Sequence, residues 1–120
     1  SVGQLGFTAL PNQSSAFVPL AISDVTSLKL DGDTAANAFG LPGRVVVIGL
    51  EPLLEAWWET NRRPMLTLYG NPAHGHVLEW KNNLFDASWS SALSVSLTNL
   101  WQSFEVPATN PAQFFRAFRQ

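Results

Sequence analysis

Two histidines one residue apart, in His74-Gly75-His76, are the first side chains here whose type and spacing could do chemistry. On a strand, positions i and i+2 project to the same side. Two imidazoles placed that way could hold copper or zinc. The nearest carboxylate, Glu79, has the opposite strand parity from His76, and no third ligand stands at a matching spacing. The Asn71-Pro72 turn just upstream explains both histidines as turn residues. The expectation is no metal and no cofactor, with His74 and His76 as the pair to locate. Asp24, Asp31 and Asp33 could offer oxygens to calcium, but they lack a full loop signature. Asp31-Gly32-Asp33 reads as a hairpin-type turn instead. The carboxylates Glu51, Glu55, Glu59, Glu79 and Glu105 show no arrangement that pairs two of them across an active site. There is no G-x-S-x-G elbow. Gly40-Leu41-Pro42-Gly43 lacks the lysine of a phosphate loop. The absence of cysteine excludes disulfides, thiolate metal sites and thiol nucleophiles. The chain is expected not to be an enzyme.

Aromatic residues are the second chemical resource. Five tryptophans occur: Trp57, Trp58, Trp80, Trp89 and Trp101. An exposed indole offers a flat π face to the CH-rich side of a sugar ring. Trp57 and Trp58, being adjacent, cannot share one face of a strand or helix. Trp58 and Trp89 are the glycan-stacking candidates, and burial in a core is the competing explanation for the tryptophans. Phe7, Phe17, Phe114, Phe115 and Phe118 are candidate interface anchors, because aromatic side chains concentrate at interface cores. Arg116, between two of them, is expected to pair with a carboxylate or stack on a ring.

The chain of 120 residues is 46% hydrophobic and only 13% charged. An ordinary soluble domain carries about 25% charged residues, so much of this surface is uncharged and open to a partner. A net charge of -2 supplies no basic field for nucleic acid. No run of 18 apolar residues suits a membrane-spanning helix.

The elements that must position these residues are mostly strands. Alternation or β-branched runs predict strands over 4–10, 16–22, 25–30, 44–50, 65–69, 76–80, 92–97, 100–106 and 113–119. The run 44–50 (RVVVIGL) reads as buried on both faces. In the last strand, Phe114, Arg116 and Phe118 fall on one side and Phe115, Ala117 and Arg119 on the other. Residues 51–60 (EPLLEAWWET) are the helix-like exception. Pro52 suits a first helical turn, and Leu53, Leu54 and Trp57 fall on one side. Glu55 and Glu59 would then face solvent beside Arg62 and Arg63. The fold class expected is all-β: antiparallel β-sandwich elements with one short connecting helix. Its parts are a partial β module over 1–50, a helical connector over 51–63 and a C-terminal antiparallel module over 64–120.

Several of these runs look familiar together. Gly43-Arg44-Val45-Val46-Val47-Ile48-Gly49, Glu51-Pro52-Leu53-Leu54-Glu55-Ala56-Trp57, Leu66-Thr67-Leu68-Tyr69-Gly70-Asn71-Pro72, Thr98-Asn99-Leu100 and Phe114-Phe115-Arg116-Ala117 resemble the C-terminal region of large secreted proteins of planctomycete and verrucomicrobial bacteria. That resemblance spans roughly residues 15–120. Residues 17–33 followed by 43–49 also resemble the final strands of a cohesin-like, immunoglobulin-type β-sandwich. The resemblance implies a non-catalytic, extracellular or cell-surface bacterial module that binds or anchors protein. The earlier strands of such a sandwich would lie upstream of Ser1, so open strand edges are expected. A neighbouring subunit could complete them, and a head-to-tail contact that does not close gives a filament. The expected function is a structural or interaction module that self-associates by strand complementation or binds another extracellular protein. The alternative is a carbohydrate-binding module of a secreted polysaccharide-degrading protein.

Overall fold

A computed structural model describes residues 6–8, 10–23, 32, 41–106 and 112–120 of the chain. Among these described residues eight strands occur: β1 Ala16–Leu20, β2 Gly43–Val47, β3 Leu53–Trp58, β4 Pro64–Tyr69, β5 Gly75–Lys81, β6 Ser90–Ser96, β7 Trp101–Glu105 and β8 Phe114–Arg119. They form a two-stranded sheet, β1-β2, and two three-stranded sheets, β3-β4-β7 and β6-β5-β8. The chain divides into two compact units, Phe17–Val46 and a larger one made of Ser1–Ala16 with Val47–Gln120. The expected strand over 25–30 and the aspartates 24, 31 and 33 lie outside the described residues. Gly32 is described, and its φ of 90° suits the turn expected there.

The fold is all-β, and residues 51–63 correct one expectation. They are not a helical connector: Leu53–Trp58 is a strand paired along its whole length with β4, from Leu53 opposite Tyr69 to Trp58 opposite Pro64. The apolar positions of LLEAWW fit both a helical and an alternating period. Six register pairs and the strand preference of adjacent aromatics decide the matter. The segment Asn61-Arg62-Arg63 is the turn of the β3-β4 hairpin. The Glu59 N–H donates to the Arg63 carbonyl at 3.0 Å, the Arg62 N–H donates to the Glu59 carbonyl at 2.8 Å, and Arg62 sits at φ 64°. Two smaller expectations also change. Residues 6–8 and 10 carry no strand, against the one expected over 4–10. β2 is not buried on both faces: Gly43 and Arg44 are exposed, and Val45–Val47 are half-buried.

The core of the larger unit lies between its two sheets. Leu54 of β3, Leu68 of β4 and Phe104 of β7 meet Val95 of β6, Ala117 of β8 and Leu97. The pairings fix which residues point inward, because register partners share a face. Leu66 opposes Phe104, and Leu78 opposes Ala117. The sandwich of β3 to β8 therefore builds both of its layers from residues 53–119. One register shift interrupts it. Leu78 opposes Leu93 while Glu79 opposes Ser91, so one residue of β6 bulges out of the ladder.

Within the same unit, Ser15 anchors the segment that precedes β1. Its hydroxyl accepts the Gly49 N–H at 2.8 Å and donates to the Glu51 carbonyl. The backbones are so close here that a Cβ on residue 49 would sit 2.1 Å from the Gln13 carbonyl oxygen, which only glycine avoids.

Candidate functional site

With residues 53–58 as a strand, the outer face of β3-β4-β7 becomes a defined surface. Leu54, Leu68 and Phe104 point inward, so Glu55, Trp57, Thr67, Tyr69, Trp101 and Ser103 point outward. Their hydrogen bonds agree. The Trp57 indole N–H donates to Thr67 Oγ1 at 2.9 Å, and Thr67 Oγ1 shares a 2.8 Å bond with Ser103 Oγ. The Tyr69 hydroxyl donates to Glu55 Oε2 at 2.9 Å. Trp101 is the register partner of Tyr69. The face thus carries two adjacent aromatics at one end, Trp57 at the other, and the row Glu55, Thr67, Ser103 between them. Trp57 is 40% exposed and Trp101 57% exposed. At the Trp57 end, Arg63 bridges Glu105 at 3.0 Å and Glu59 at 3.2 Å. Glu55 and Glu59 therefore do not line a helix face: one sits on the strand and the other in the turn.

Trp58, the sequence-derived stacking candidate on β3, points the opposite way from Trp57 and is 69% exposed. It lines a cavity of about 350 Å³ together with Ala56, Leu66, Val106, Phe114 and Phe115. The structure thereby brings Trp58 together with two of the five phenylalanine candidates. Phe118 lies on the outer side of β8, Phe17 sits under the Arg44 guanidinium at 5.0 Å, and Phe7 is an exposed residue outside any strand.

Trp89 has different company. The Arg116 guanidinium lies 4.4 Å and the Lys81 ammonium 4.7 Å from its ring. Arg116 also donates to Glu79 Oε2 at 2.7 Å, as the alternation of β8 and the expected role of Arg116 suggested. Lys81 donates to the carbonyls of Leu84 and Asp86. These contacts tie the segment 82–89 to the outer side of β6-β5-β8. A sugar on the Trp89 ring would have to share it with two cations.

The two histidines part company as well. His76 is 2% exposed, while His74 is half-buried in the turn. Burial pushes the His76 imidazole below its ordinary 6.5, and the neighbouring His74 and Arg119 add to that. Its Nδ1 is buried without a hydrogen-bond partner, and its Nε2 lies against Gly70, where a Cβ would come within 2.5 Å. Among the described residues, no three His, Cys, Asp or Glu side chains gather as a metal site.

Sequence reasoning missed the grouping of Trp57, Tyr69 and Trp101. The alternation of 101–105 already placed Trp101 and Ser103 on one side. The helical reading of 51–60 hid the strand that carries Trp57. No protein-family model, curated protein or solved structure gives a significant match to the chain.

Proposed function

We propose that this chain is a non-catalytic, extracellular interaction module that associates with further copies by strand addition. The carrying observation is β6. Among the described residues it is an edge strand, in the sheet order β6-β5-β8, and its sequence, SSALSVS, holds no charge and no proline. Natural edges are usually guarded by such residues. The other edges of the two three-stranded sheets are guarded: β3 carries Glu55, β7 Glu105, and β8 Arg116 and Arg119. An unguarded row of backbone donors and acceptors is a template for another strand. The low charge of the whole chain and its resemblance to secreted bacterial tails support the extracellular setting. Sedimentation velocity and negative-stain electron microscopy across a concentration series test the reading. Assemblies that grow with concentration, and that Ser94→Lys abolishes without unfolding the chain, are expected. Compact monomers at every concentration overturn it.

A second reading, a carbohydrate-binding module, is favoured by the aromatic outer face of β3-β4-β7. Retention on immobilised polysaccharides tests it, and failure to bind any of them removes it.

A further inference from the structure

From the geometry of the outer face of β3-β4-β7, we infer that it is a subsite for an extended, uncharged polysaccharide chain, an inference that rests on the carbohydrate-binding reading. Three features of the surface point there. The first is spacing. Tyr69 and Trp101 are register partners, and Met65, the partner of Trp57, lies four residues before Tyr69 on β4. At roughly 3.4 Å per residue, the backbone positions of the two aromatic ends stand about 14 Å apart along the strands. That span suits several sugar units and is too long for one. Each end offers a flat apolar surface for the CH face of a pyranose.

The second feature is rigidity. Trp57 is held by its indole N–H on Thr67 Oγ1, and Thr67 is itself held by Ser103. Thr67 is buried, so this anchor is shielded from water. The ring is fixed before any ligand arrives, which lowers the entropic cost of binding. Tyr69 is likewise tied to Glu55.

The third feature is charge. Glu55 stands in the middle row with its Oε2 accepting the Tyr69 hydroxyl, and Glu59 and Glu105 stand at the Trp57 end. At that margin the Arg63 guanidinium is shared between two carboxylates, Glu59 and Glu105. The face therefore suits hydroxyl-rich neutral chains and repels uronate or sulfated ones.

Affinity electrophoresis of the full chain tests this, with hydroxyethylcellulose, glucomannan and xylan as neutral probes and alginate and polygalacturonate as acidic ones. At least one neutral polymer is expected to retard the chain, and the acidic ones are not. Trp101→Ala and Trp57→Ala should each weaken retardation by about tenfold or more, as loss of a central aromatic anchor does. Phe85→Ala, at a residue 94% exposed in the 82–89 segment, should leave it unchanged. Circular dichroism melts establish that each variant is folded. If Trp57→Ala does not fold, Trp101→Ala on the edge strand β7 decides alone. Retardation that survives Trp101→Ala but is lost in Trp58→Ala overturns this face while leaving the carbohydrate reading in place. Retardation by acidic polymers only overturns the ligand class. No retardation by any polymer overturns both.

Discussion

At the scale of single residues, His76 and Gly70 are interdependent. The imidazole is accommodated because residue 70 has no Cβ. Gly70→Ala should therefore cost about 1–3 kcal/mol, the usual penalty for overpacking a tight core, read as a lower denaturant midpoint. His76 also makes stability depend on pH. Its folded-state value lies below the ordinary 6.5, so the unfolded chain binds the proton more readily. Its contribution is complete above about pH 6.5 and is lost as the pH falls from there toward the folded-state value. Thermal melts between pH 7.5 and 5 should show the midpoint falling on acidification, with a shallower slope in His76→Leu. Trp57→Phe keeps a ring but loses the donor to Thr67. It should cost about 1 kcal/mol, the worth of an ordinary hydrogen bond, and a melt of that variant measures it.

At the scale of elements, the two sheets share one core, and Leu68 is at its centre with 1% exposure. Leu68→Ala should destabilise the unit by about 2–5 kcal/mol through lost burial and the cavity left behind, measurable by chemical denaturation. The 82–89 segment is held more weakly. Its staple is Arg116, half exposed, between Glu79 and the Trp89 ring. Arg116→Ala should cost only about 1 kcal/mol, because solvent screens the pair. It should nevertheless speed amide exchange at 82–89 selectively. Most of these strands were legible because alternation is a local property of a strand with one buried face. β8 is the clearest case, with Ala117 inward and Arg116 outward as its pattern required. β3 was not legible. Leu53, Leu54 and Trp57 satisfy a helical stripe, while Leu54, Ala56 and Trp58 satisfy an alternating one, and its partner β4 settled the matter from across a hairpin. The candidate face was hidden for a related reason. Trp57, Tyr69 and Trp101 come from three strands, and only the register of β3-β4-β7 makes them neighbours.

At the scale of the whole molecule, the described strands divide between a two-stranded sheet in the smaller unit and a six-stranded sandwich in the larger one. Each is described by its own pairings. In the sandwich, consecutive strands β3-β4 and β5-β6 pair as neighbours, whereas β7 and β8 return to β4 and β5 from far along the chain. That ordering has a temporal side. β5 leaves the ribosome and can zip with β6 at once, but its opposite edge, His76 to Lys81, has no partner until residues 114–119 have been synthesised. During that interval Val77 and Leu78 lie on an open edge that the finished chain buries. Long-range pairings of this kind close slowly and expose nascent chains to aggregation. Translation speed between residues 82 and 119 is therefore expected to affect how much of this protein folds without aggregating.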